Sequence, residues 1–148
     1  MRAIVSLGAP HLGPPPDVPD QTRGTVNNLN LRAPGAFLSK PFVYVTVASN
    51  RIVGDASAPA GSAAKTAFNS YQMVCGDGAV PGDGIVPLAS AHLDGAVQIT
   101  LSCFHSIAEP GTTRPTDDWY AAEPVIDDWL AVVASELRAQ SMRELLPL

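Results

Sequence analysis

The chain has 148 residues, 46% hydrophobic and only 16% charged, a composition that favours one globular domain with a packed core over a disordered segment. Its net charge is −5 and its nine Lys and Arg residues are scattered, which leaves no basic footprint for nucleic acid or anionic lipid. No apolar run reaches the ~20 residues that span a bilayer, and Cys75 and Cys103 stand in neither a Cys-x-x-Cys nor a zinc-ligand spacing.

The two cysteines are therefore expected to be small buried apolar residues. The N-terminus has no signal-peptide layout, so the chain is expected either to be cytoplasmic or to have its targeting segment elsewhere. Residues 2–7, R-A-I-V-S-L, form a short apolar run closed by Gly8 and read as a buried strand that runs into a loop. Five prolines and two glycines between Gly8 and Pro19 exclude a regular element there. A helix is expected over about 20–31, weakened by Gly24 and three asparagines and stopped before Pro34-Gly35. Residues 42–49, F-V-Y-V-T-V-A-S, are β-branched and aromatic with both alternating faces apolar, as a central parallel strand requires.

Residues 54–64 are rich in small residues and are expected to be exposed, with a short helix over 65–74. The stretch G-D-G-A-V-P-G-D-G-I-V-P, residues 76–87, reads as a turn-forming loop without an element of its own. Residues 96–103 alternate, with Val97, Ile99, Leu101 and Cys103 on one face, and predict a half-buried strand near a sheet edge. From Pro124 onward, Val125, Ile126, Trp129, Leu130, Val133 and Leu137 recur at helical spacing, as on an amphipathic helix that covers a sheet. Strand, helix, strand, helix, strand, helix predicts an α/β domain of about three mainly parallel strands with flanking helices.

Reactive groups in open parallel sheets gather on the loops at the carboxyl ends of strands. Three such loops carry polar groups: 8–13 with His11, 82–87 with Asp83, and 104–106 with His105. Buried in its turn, Asp83 would bond one imidazole nitrogen of His105 and fix its tautomer, while the other nitrogen accepts a hydroxyl proton. The alternative reading of Asp83 is a carboxylate that caps its own Gly-rich turn. Asp77 and Asp94 are its rivals, as His11 and His92 are those of His105. His11 is expected to structure its Pro-rich loop or line a pocket, and His92 to pack or lie at the surface. Trp119, Tyr120 and Trp129 are expected in the core rather than in a site.

Three segments carry a family resemblance. S-L-G-A-P-H-L-G resembles the Leu-Gly-Thr-Pro-His-x-Gly segment that follows the nucleophile helix of lipase-like α/β-hydrolases, G-D-G-I-V-P is similar to their acid-bearing loop, and C-F-H-S matches their post-strand histidine about twenty residues further on. The surrounding A-F-N-S-Y-Q-M-V-C-G-D-G and S-A-H-L-D-G-A resemble a plant, algal and cyanobacterial branch of such hydrolases, often directed to plastids. The resemblance covers nearly the whole chain and implies the C-terminal portion of an α/β-hydrolase fold, its last three strands, with Asp83 and His105 as catalytic residues. It implies a lipid or small-molecule ester as substrate, no cofactor and no metal, and a chloroplast location as an alternative to the cytoplasm.

The nucleophile of these enzymes sits in Gly-x-Ser-x-Gly, where glycines allow a sharp strand-to-helix turn. None of the eleven serines here has Gly two residues before it, and neither cysteine does. The resemblance therefore implies residues 1–148 as a partial hydrolase domain that lacks the nucleophile-bearing half and is inactive alone. Cys103, two residues from His105, is an alternative nucleophile. A different class of function is a non-catalytic one, in which the apolar strand at 2–7 exposes an edge to a second chain. A third expectation is a chain that barely folds, because three parallel strands without neighbours leave apolar faces uncovered.

Overall fold

The computed structural model describes residues 2–38 and 42–145. In chain order its elements are β1 (Ala3–Leu7), α1 (Thr25–Arg32), β2 (Val43–Ser49), β3 (Ile52–Val53), α2 (Ala63–Cys75), β4 (Pro81–Gly82), α3 (Leu88–Ala91), β5 (Val97–Leu101) and α4 (Glu123–Leu145). β2 lies between β1 and β5 and pairs with both in parallel, Val45 standing opposite Val5 on one side and Val97 on the other. Parallel neighbours cannot be joined by a hairpin, so the chain crosses over through α1 and then through the segment that holds α2 and α3. The result is an α/β arrangement of a three-stranded parallel sheet flanked by helices.

The apolar alternation decides which helix covers which face. Val43, Val45 and Val47 of β2 are at most 8% exposed and form the main core with Cys103, Tyr120 and Val133. Ala3, Val5 and Leu7 of β1 and Val97, Ile99 and Leu101 of β5 extend that core. α4 closes it with Val125, Trp129, Val133 and Leu137, a stripe at intervals of four residues. Leu130, expected on that stripe, is 47% exposed, since five residues on from Val125 the helix has turned past the sheet. On the opposite face Ala48 packs with Val86 and Ala91 in a smaller cluster beside α3. Each face of β2 therefore has apolar cover, and six of its seven residues are buried.

Several boundaries differ from the sequence expectations. α1 starts only at Thr25, because the Asp20 carboxylate ties up the amides of Thr22 and Gly24 at 2.7 and 2.9 Å in a turn of its own. α2 begins two residues earlier than expected, after Ser62, whose hydroxyl accepts from the Lys65 amide, and it ends at Gly76 in the left-handed conformation. The loop over 76–87 does contain an element: Pro81 and Gly82 pair antiparallel with Val53 and Ile52. This two-stranded ladder hangs the acid-bearing turn beside the end of β2.

Candidate functional site

Asp83 follows β4, and the turn after it is closed on the carboxylate itself. Oδ1 accepts from the amides of Ile85 and Val86 at 2.9 and 2.7 Å, a local bonding pattern natural to aspartate in a tight turn. From below, the Tyr71 hydroxyl of α2 accepts from the Gly84 amide at 2.7 Å and donates to the Ile52 carbonyl at 3.3 Å. Burial pushes the Tyr71 phenol well above its ordinary range, so it stays protonated and available as donor.

His105 reaches the same place from the segment that leaves β5. At the end of β2 the Ser49 hydroxyl donates to the Cys103 carbonyl at 2.6 Å and accepts from the Cys103 amide at 3.0 Å, which locks the chain leaving β5 onto β2. The next residues are pinned by the Phe104 amide to the Asp118 carbonyl and by an Arg51–Asp118 ion pair of 2.9 Å, with the Arg51 guanidinium over the Phe104 ring. Two residues beyond Cys103, the His105 amide donates to the Asp83 carbonyl at 3.0 Å.

The side chains then meet. His105 Nδ1 lies 2.9 Å from Asp83 Oδ2, with the carboxylate 0% exposed and the imidazole 34% exposed. Tyr120 donates its hydroxyl to the same Oδ2 at 3.0 Å, and its ring stands edge-on to the imidazole. Burial first, then the Asp83 charge, raises the Tyr120 phenol far above its ordinary range, so its proton stays in place. Trp129 of α4 holds Tyr120 by a bond from its indole nitrogen to the Tyr120 carbonyl at 2.9 Å. With Nδ1 committed to the carboxylate, His105 Nε2 is left without a hydrogen-bond partner among the described residues. Such an imidazole is oriented to accept a proton on its open side.

Gly8 explains how the 8–13 loop approaches so closely. Its φ is 56°, in the region that favours glycine, and a Cβ there would lie 2.6 Å from both Asp83 Oδ2 and the Tyr120 ring. His11, on the same loop, turns away from Asp83: its Nε2 lies 2.8 Å from Ser6 Oγ. His92 bonds Thr46 and Thr100 at 3.2 and 3.1 Å on the sheet face opposite α4. Asp77 is exposed and caps the Ala79 amide, and Asp94 is exposed in a turn, so neither meets His105.

The reading of Cys103 as a nucleophile is corrected. Burial, then the charges of Asp118 and Asp83, push its thiol up to about 12, and it sits 1% exposed in the core. The reactive species is the thiolate, which is negligible at neutral pH for such a group. The placement of Tyr120 wholly in the core is also revised, because its hydroxyl completes the Asp83 shell. Tyr71 and Ser49 were not foreseen either; their bonds to Gly84 and Cys103 join residues 13 and 54 positions apart.

Among the described residues no three His, Cys, Asp or Glu side chains converge to hold a metal ion, and no helix is long and apolar enough to cross a membrane. No protein-family model, curated protein or solved structure matches the chain.

Proposed function

We propose that the chain is the acid–base half of a carboxylic-ester hydrolase of the lipase-like α/β type, with Asp83 as orienting acid and His105 as general base. The observation that carries this reading is the 2.9 Å bond between a fully buried carboxylate and a histidine just beyond the carboxyl end of β5. Its support is threefold: His105 follows the carboxyl end of β5 while Asp83 lies in the crossover between β2 and β5, the two occur in the order acid then histidine, and the second imidazole nitrogen is free of partners among the described residues. In this reading the three-stranded sheet corresponds to the last strands of the hydrolase fold. The nucleophilic hydroxyl comes from outside these 148 residues, since none of the serines stands in an elbow. A base so held accelerates hydroxyl attack by roughly 10²–10⁴-fold.

A second reading is non-catalytic pairing with another chain. It is favoured by β1, which pairs only with β2 among the described residues and so leaves one side as a sheet edge. That edge is also where the rest of a hydrolase sheet would attach.

The test is turnover of a short-chain p-nitrophenyl ester by the purified chain, and by the complex recovered with it from its source, each beside His105→Ala. The expected result is no His105-dependent turnover from the chain alone and turnover from the complex that falls by three to four orders of magnitude in the variant. Turnover by the complex that survives His105→Ala would sink the hydrolase reading and leave the pairing one.

A further inference from the structure

On the sheet face opposite α4 lies a cavity of about 350 Å³. Its walls are mostly apolar, with Ile4, Val26, Leu29, Phe37 and Leu93 among them, yet Ser6 and His11 also line it. The two are paired, Ser6 Oγ standing 2.8 Å from His11 Nε2. The backbone of His11 is held on both sides. The His11 amide donates to the Ser90 carbonyl of α3 at 2.6 Å, and its carbonyl accepts from the Asn30 side chain of α1 at 2.8 Å. This face is distinct from the one that buries Tyr120, and the pair shares no hydrogen bond with Asp83 or His105.

We propose that Ser6 is a covalent acylation site, whose hydroxyl, paired with His11 in the wall of an apolar cavity, takes short acyl groups from activated carboxylic esters. A hydroxyl within hydrogen-bond reach of an imidazole, beside space for an apolar substituent, is the arrangement that nucleophilic catalysis requires. Burial, and after it the neighbouring His92, hold the His11 pKa below its ordinary range, which keeps the ring neutral and able to accept. With the ring proton on Nδ1, Nε2 takes the Ser6 proton as Oγ attacks the ester carbonyl. The new bond is Oγ–C(acyl), the bond that breaks is C(acyl)–O of the leaving group, and that oxygen departs with the electron pair. The proton on Nε2 then passes to solvent or to the leaving oxygenate. Among the described residues no carboxylate bonds His11 Nδ1, so the imidazolium lacks the support that speeds repeated turnover, and the acyl-serine accumulates. The site is thus a stoichiometric acceptor, and it stands independently of the hydrolase reading.

The experiment is a burst measurement with p-nitrophenyl acetate on the purified chain, followed by peptide mass mapping. One equivalent of p-nitrophenolate is expected per chain, with one acetyl group on Ser6 in the tryptic peptide 3–23. Ser6→Ala is expected to remove both burst and label, His11→Gln to slow the burst by about 100-fold, and Ser6→Cys to restore a label at the same position. A burst that persists in Ser6→Ala, an acetyl group found only elsewhere, or no burst from a cooperatively folded chain would overturn the proposal. A signal lost in His105→Ala but kept in Ser6→Ala would overturn it too, and assign the chemistry to the Asp83–His105 pair instead.

Discussion

Four donors converge on one carboxylate. Asp83 accepts two backbone amides on Oδ1, and on Oδ2 the Tyr120 hydroxyl and the His105 imidazole, while being 0% exposed. Tolerance of a buried charge depends on such complete satisfaction, because an unmet donor or acceptor costs about 1–3 kcal/mol. Removal of the carboxylate is therefore worse than removal of any one partner. Asp83→Ala strands two amides and a phenol, and is expected to destabilise the fold by about 3 kcal/mol or more, a fall in Tm of roughly 10 °C by calorimetry. Tyr120→Phe removes a single charge-assisted bond and should cost about 2 kcal/mol. The same variant leaves Oδ2 to His105 alone, so the imidazole Nδ1–H proton resonance should move further downfield in proton NMR as that bond shortens. An unmoved resonance in Tyr120→Phe would show that the tyrosine only fills space.

The elements show why part of this was legible from the sequence and part was not. Strands β1, β2 and β5 declare themselves because burial imposes a local pattern: a continuous apolar run for β2, sandwiched between two strands, and alternation for β5. Asp83 and His105 were legible for a related reason, since strands were recognisable and the loops after them few. The β3–β4 ladder was not, because two residues per strand give no periodicity and Pro81-Gly82 reads as a turn. Tyr120 looked like core because it is core; only its hydroxyl, meeting a residue 37 positions away, belongs to the site. Long-range partners leave no trace in local pattern. The central position of β2 also fixes where the fold is most sensitive. Val47 is 0% exposed among residues of β1, β5 and α4, so Val47→Ala is expected to cost about 2–3 kcal/mol in denaturant melts. Leu130→Ala, on the outward side of α4, should cost under about 0.5 kcal/mol.

At the scale of the whole molecule, two features connect the fold to its surroundings. The first is acid sensitivity. Burial, aided for His11 by His92, lowers the pKa of His11 and His92 in the folded chain. The unfolded chain then binds protons at these rings first, from about pH 6.5 downward. Stability is accordingly full above that pH and falls as pH drops toward the lowered folded values, so Tm should decline between about pH 7 and 5, less so in His11→Gln/His92→Gln. The second feature is the side of β1 that no strand pairs among the described residues. The Gly8 amide bonds the Val47 carbonyl and the Val43 amide bonds the Arg2 carbonyl, so even-numbered residues of this strand face β2. Ala3, Val5 and Leu7 consequently point their N–H and C=O groups away from it, in a strand rich in apolar side chains. Such an edge is a template for another strand, whether from a partner or a second copy. Proline at Val5 would delete an outward N–H and none of the ladder to β2, a kind of strand position where proline is tolerated. Sedimentation velocity is expected to show concentration-dependent association of the native chain and a monomeric Val5→Pro variant, somewhat less stable from lost packing. Equal association of both would place the contact elsewhere on the molecule.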